Sequence, residues 1–144
     1  MVHAKIILMR KYKHLVYAGT FDRLHIGHKK LLDGAFNLAE KVSIGITTEK
    51  LYKSKPLAKL ILTYEVRRML VEQYVRERYW LKRARFFRLD DIFGPSTLLG
   101  IKPPFDSILV TKLTKTNAEK INKIREKRYE IGDKRYLKPL KIIM

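Results

Sequence analysis

Two histidines, His25 and His28, bracket Gly27 in the run Gly19-Thr20-Phe21-Asp22-Arg23-Leu24-His25-Ile26-Gly27-His28. An imidazole can donate a hydrogen bond to a phosphate at neutral pH. Two of them three positions apart at a helix start lie on one side of the helix. The first helical turn adds unpaired N–H groups and a partial positive charge, both of which favour anions. Both rings can therefore address one phosphate chain. Gly19 and Gly27 permit close approach of backbone and ligand, and Thr20 and Asp22 add polar groups to the turn. The competing readings are a metal site and plain surface histidines. No third ligand is evident beside the two histidines, and two imidazoles with Asp22 would crowd a nucleotide.

The elements that must hold this run in place follow from apolar periodicity. His14–Gly19 (HLVYAG) is a short apolar stretch ending in Gly and predicts a buried strand. Gly27–Ala39 puts Leu31, Leu32, Ala35, Phe36 and Ala39 at the spacing of one helix face. Lys41–Thr47 predicts a second strand, Tyr52–Lys59 a loop, and Tyr64–Leu81 a long helix with Met69, Leu70, Tyr74 and Val75 in register. Ala84–Leu89 predicts a third strand, Ile92–Pro95 a turn, and Ser96 the cap of a short helix through Leu99. After Pro103-Pro104, Asp106–Val110 predicts a fourth strand. Thr116–Arg128 predicts a helix with Ala118, Ile121 and Ile124 on one face and Thr116 or Asn117 as its cap, and Pro139–Met144 a fifth strand. Residues 1–13 are expected to form an extra edge strand or a loose arm. The alternation implies an α/β fold: a Rossmann-like, doubly wound, parallel five-stranded sheet with right-handed crossovers. Such sheets bind ligands beyond the C-terminal ends of their strands, where strand order reverses. The first strand ends at Gly19, so the histidine run sits where chemistry is expected.

Composition narrows the partners. The chain has 144 residues, with 32 Lys+Arg against 14 Asp+Glu and a formal net charge of +18. The length suits a single domain over residues 1–144. A hydrophobic content of 46% argues against disorder. The absence of Cys excludes a disulfide scaffold, a Cys-ligated metal and a Cys nucleophile. No Ser/His/Asp grouping suggests a nucleophilic enzyme either. No apolar run approaches the ~20 residues that span a bilayer, and no signal-peptide pattern opens the chain. The expectation is a cytoplasmic protein without membrane contact. One Gln and three Asn beside so many cations fit a heat-adapted composition. The charge also fits a basic nucleic-acid-binding domain without catalysis, whose face would be Arg67, Arg68, Arg76, Arg78, Lys82, Arg83, Arg85 and Arg88. No zinc-finger or RNP pattern accompanies them, which makes a solvated helix face the stronger reading and nucleic acid an unlikely partner.

Gly19–His28 resembles the signature of the nucleotidyltransferase superfamily, with its Thr-Phe-Asp and His-x-Gly-His parts. The segments HKKLLDGAFNLAEKVSIGITT, SKPLAKLILTYEVRRM, DDIFGPST, DSILVT, NAEKINKIREKR and LKPLKII are together similar to the archaeal phosphopantetheine adenylyltransferases, over Leu15 to Ile143. The resemblance implies transfer of AMP from ATP to 4′-phosphopantetheine, giving dephospho-coenzyme A and pyrophosphate in coenzyme A biosynthesis. It implies direct in-line attack with Mg²⁺ accompanying ATP, no covalent intermediate and no metal ligands in the protein. It gives catalytic roles to His28 and His25, and ATP or phosphate contacts to Gly19, Thr20, Phe21, Gly27 and Thr111. Acceptor contacts fall to Thr20, Asp22, Lys55 and Arg67. Lys59 is the alternative to Lys55, and an ion pair with Glu65 the alternative role for Arg67. A nucleotidyltransferase making a cytidylyl or flavin product shares the same motif. Two departures stand out. Thr111-Lys112-Leu113-Thr114 replaces the relatives' Ser-Glu-Glu-Thr, and no Ser follows Ser107 where relatives carry a Ser-rich grip on the ATP phosphates. Lys112 and Lys115 are the basic residues left to replace that grip.

Overall fold

The computed structural model describes residues 10–98, 100–130 and 138–144. Strand β1 (Tyr12–Gly19) carries the apolar run Leu15-Val16-Tyr17, and all three side chains are buried. Leu15 and Tyr17 face one core cluster and Val16 the other, as the two-residue alternation of a strand requires. A strand buried on both faces reads as a continuous apolar run. β1 begins two residues earlier than predicted, so Tyr12 and Lys13 belong to it and not to an arm. Arg10 and Lys11 precede the strand, and residues 1–9 of the expected arm lie outside the described residues.

Helix α1 (Ile26–Leu38) follows, then β2 (Ala39–Thr47), the one-turn helix α2 (Glu49–Tyr52) and a 3-10 turn at Ala58–Leu60. The segment predicted as loop over Tyr52–Lys59 thus starts and ends in short helical turns. Helix α3 (Tyr64–Glu77) precedes a 3-10 turn at Leu81–Arg83 and strand β3 (Ala84–Leu89). A further 3-10 turn at Gly94–Thr97, β4 (Ser107–Leu109), α4 (Lys115–Glu130) and β5 (Lys141–Ile143) complete the order. The sheet is β3-β2-β1-β4-β5. Every pairing is parallel, with Leu15 opposite Val42 on one side of β1 and Ser107 on the other. Strand order reverses between β1 and β4, so the end of β1 is the switch point expected from sequence. Helices α1 and α3 pack on one face and α4 on the other, which is the doubly wound arrangement.

Three local expectations need correction. Helix α3 buries Arg67, Val71 and Val75, while Met69 is 56% exposed. The apolar pair Met69-Leu70 therefore does not mark its core face. The helix stops at Glu77 because Tyr79 takes a left-handed conformation (φ 62). The Tyr79 N–H then donates to the Arg76 carbonyl and the Trp80 N–H to the Val75 carbonyl, which satisfies the helix end. Trp80 stacks on Phe36 of α1 with centroids 4.6 Å apart. Ser96 is buried inside its 3-10 turn and caps nothing. Asp91 takes that part, accepting from the N–H groups of Phe93 and Gly94 at 2.9 Å. Leu99, the expected end of that helix, lies outside the described residues. Helix α4 starts at Lys115, so Thr116 and Asn117 fall inside its first turn, and its buried face is Ala118, Ile121 and Arg125. Ile124 is half-buried. Among the described residues no helix is long and apolar enough to cross a membrane.

Candidate functional site

A cavity of about 630 Å³ opens beyond the C-terminal ends of β1 and β4. Its wall includes Gly19, Thr20, His25, His28, Lys55 and Thr111. No carboxylate belongs to that wall among the described residues, so its polar groups are donors, hydroxyls, an amide and one lysine. Such a lining suits an anionic ligand.

The β1–α1 turn is built to present the two imidazoles. Phe21 and Arg23 adopt positive φ values of 54 and 48, which folds the chain sharply after the strand. Phe21 is 1% exposed and packs edge-on against Tyr17 at 5.2 Å, so it anchors the turn and does not line the cavity. Asp22 also turns away from the cavity. One of its carboxylate oxygens accepts the Leu62 N–H at 3.0 Å and the other pairs with Arg23 at 2.7 Å. Arg23 in turn donates to the Leu60 carbonyl at 3.1 Å. Asp22 therefore binds the β1–α1 turn to the segment before α3.

His25 is the N-cap of α1, a role usually filled by Ser, Thr, Asp or Asn. Its Nδ1 accepts the Gly27 N–H at 3.1 Å, and the His28 Nδ1 accepts the His25 N–H at 3.4 Å. The two rings stack with centroids 3.9 Å apart. Both Nδ1 atoms accept, which leaves Nε2 of each ring as the N–H donor. Burial, then the neighbouring His25, hold the His28 imidazole below the ordinary histidine range, against an opposing pull from Asp22. His28 is thus a neutral N–H donor at physiological pH. Gly27 lines the cavity and has a structural reason as well. A Cβ there would lie 2.9 Å from His25 Cε1, so Gly is what lets the His25 ring fold back on its own helix.

Thr20 accepts a hydrogen bond from Thr47 Oγ1 at 3.1 Å. Lys55 reaches the wall from the turn after α2, where its N–H donates to the Tyr52 carbonyl at 2.9 Å. Lys59 is exposed and off the wall. Thr111 lines the cavity, with its N–H donating to Thr114 Oγ1 at 2.9 Å. Leu113 and Thr114 also reach the wall, whereas Lys112 and Lys115 are exposed and outside it. Arg67 is 0% exposed and lies beneath the cavity instead of lining it, and it forms no pair with Glu65 among the described residues. Sequence reasoning did not single out Thr47 or Tyr52, which also line the cavity. The available signal was position, since Thr47 ends the strand beside β1 and strand ends border the switch point. Among the described residues no group of three or more His, Cys, Asp or Glu side chains is placed to hold a metal.

The family model for cytidylyltransferase-like proteins matches residues 16–141. The chain is 36% identical to the phosphopantetheine adenylyltransferase of Pyrococcus abyssi over 136 residues, 94% of this chain and 80% of that one. It is 37% identical to the enzyme of the same name from Methanothermobacter thermautotrophicus over 123 residues, 84% of this chain and 70% of that one. A protein of unknown function from Archaeoglobus fulgidus has a crystal structure similar to this fold, with a TM-score of 0.70 at 27% identity. That match covers 90% of this chain and 87% of the other. A family model matching residues 16–141 and identities of 36–37% over most of the chain place it in the cytidylyltransferase-like family, among the archaeal phosphopantetheine adenylyltransferases.

Proposed function

We propose that the protein transfers the adenylyl group of ATP to the phosphate of 4′-phosphopantetheine, forming dephospho-coenzyme A and releasing pyrophosphate. The observation that carries this reading is the stacked pair of imidazoles on a cavity wall with no carboxylate among the described residues, in a chain more than a third identical to enzymes of that name. An acceptor phosphate oxygen attacks the α-phosphorus in line, a P–O bond forms to it, and the bond to the pyrophosphate oxygen breaks. The protein supplies no nucleophile; it positions two anions and stabilises charge on the equatorial oxygens. His28 Nε2–H, with His25 beside it, donates to the α-phosphate. The Thr20 hydroxyl and Lys55 hold the acceptor phosphate, and the strand-end residues around Thr111 receive the nucleoside. Among the described residues no group of three or more His, Cys, Asp or Glu side chains gathers at the cavity to hold a metal. The magnesium ion belongs to the ATP substrate and is held by its phosphates.

The test is pyrophosphate release from purified protein with ATP, CTP, 4′-phosphopantetheine and other phosphorylated acceptors in all pairings. Release should require both ATP and 4′-phosphopantetheine. Turnover with CTP, or only with another acceptor, would replace this reading with a different nucleotidyl transfer.

A further inference from the structure

Arg67 is, with Arg125, one of the two largest fully buried side chains, and the Arg67 guanidinium has no carboxylate partner among the described residues. It is held by neutral oxygens instead. Nε donates to the Leu62 carbonyl at 2.8 Å, and Nη1 to the carbonyls of Thr20 at 2.8 Å and Thr47 at 2.7 Å. Nη2 donates to the Tyr52 hydroxyl at 3.0 Å, and the Tyr52 ring lies 5.3 Å from Arg67 Cζ. Burying an unpaired cation costs several kcal/mol in general, so a residue that only filled space here would be apolar.

The four partners come from different places in the chain. Thr20 opens the turn that carries His25 and His28. Thr47 ends β2 and donates to the Thr20 side chain. Tyr52 closes α2 and precedes Lys55. Leu62 ends the Lys55 segment and is also tied to Asp22. One rigid, planar fork therefore joins the segment bearing the imidazoles to both ends of the segment bearing the lysine. Lysine has the charge but not the fork and cannot reproduce that set of bonds.

We propose that Arg67 is a positioning residue for the transfer. It sets the distance between the imidazole donors and Lys55 without touching either substrate. The effect on rate rests on the proposed adenylyl transfer; the effect on geometry does not. A misplacement of about 1 Å in such a site costs about 100-fold in rate.

The experiment compares wild type with R67K and R67A. Three things are measured: kcat for pyrophosphate release, the equilibrium Kd for ATP, and amide hydrogen exchange by segment. For R67K the expectation is kcat lower by about 100-fold with the ATP Kd changed by less than about threefold, the mark of a group that acts on geometry and not on binding. Exchange should quicken in both residues 20–28 and 48–62, and stay unchanged in β4 and α4. Guanidinium chloride at a sub-denaturing concentration should restore part of the R67A rate, and urea at the same concentration should not. A kcat for R67K within about threefold of wild type would overturn the proposal. So would a loss confined to ATP affinity, which would make Arg67 a ligand contact, or unchanged exchange in either segment. Should R67A fail to fold, R67K carries the test. If wild-type protein does not turn over ATP with 4′-phosphopantetheine, the proposed function fails and the exchange result alone decides the role of Arg67.

Discussion

Replacing His28 separates two jobs that one ring performs. Its Nδ1 accepts the His25 N–H at 3.4 Å, and its Nε2 carries the donor aimed at the cavity. Asparagine places an acceptor near the Nδ1 position and lacks the outer donor. Glutamine places a donor near the Nε2 position and lacks the inner acceptor. The inner bond is long and solvent-accessible, so water replaces it cheaply and its loss costs about 0.5 kcal/mol, the low end for a cap. In a chain of this size that is a fall in Tm of about 1–2 °C. The outer donor is different, because a preorganised donor to a developing phosphorane is worth about 3–4 kcal/mol, or about 100- to 1000-fold in kcat. His28→Asn should therefore keep wild-type stability and lose about two to three orders of magnitude in rate. His28→Gln should lose a degree or two of Tm and retain more activity than Asn. His28→Ala should show both losses. The assay is pyrophosphate release at saturating ATP and 4′-phosphopantetheine beside calorimetric Tm. If Asn is as active as wild type, or if rate loss follows Tm across the three variants, His28 is a structural cap and the catalytic reading is wrong.

Two further outcomes concern stability. Tyr79 holds φ 62 with its side chain 94% exposed, so Tyr79→Gly removes a steric cost and sacrifices almost no packing; Tm should rise by about 2–4 °C, from about 1 kcal/mol, and a fall would show that the Tyr79 ring makes a contact of value. His14 is fully buried between the Pro103 carbonyl at 2.7 Å and Ser43 Oγ at 2.6 Å, and burial foremost, with Arg85 and Lys41 adding to it, holds its pKa below the usual 6.5 against opposing contributions from Pro103 and Asp106. His28 is shifted the same way. The unfolded chain takes up these protons near pH 6.5 and the folded chain only lower, so stability is whole above that pH and is lost as pH falls below it. The limiting slope is about 1.4 kcal/mol per pH unit for each proton. Urea unfolding at steps from pH 7.5 to 5.5 should show the decline, and a flat profile would contradict it.

The sheet was legible because its strands are short apolar runs broken by Gly, Pro and helical periodicity. Ala84–Leu89 matches β3 at both ends, and Gly19 marks the end of β1. The histidine turn was legible from its place between a strand ending in Gly19 and the helix that follows, together with the Thr-Phe-Asp and His-x-Gly-His resemblance. The buried cations were not. Arg67 reaches Thr20 across 47 positions and Arg125 reaches Ser96 across 29, and no pattern of neighbours encodes which distant carbonyls will collect around a guanidinium. For the same reason Met69 read as core and Arg67 as an acceptor contact or a Glu65 partner, when Met69 is exposed and Arg67 is fully buried beneath the cavity. Helix ends failed where the terminating residue was atypical, as with Tyr79 in a position that Gly usually fills.

The way the arginines are used has a consequence for how the protein meets its solvent. Buried Arg67 and Arg125 donate to main-chain oxygens, Arg67 also to the Tyr52 hydroxyl, and half-buried Arg83 donates to the carbonyls of Ala39 and Glu40. The ion pairs among the described residues, Arg23–Asp22, Arg68–Glu72 and Arg78–Asp33, all lie at the solvent-accessible surface. Dissolved ions weaken surface pairs, which contribute little to begin with, and leave buried guanidinium–carbonyl bonds untouched. The same ions screen the mutual repulsion of a molecule carrying +18. Rising ionic strength therefore removes more repulsion than attraction, and added salt is expected to tighten this fold where it would loosen one held by surface ion pairs.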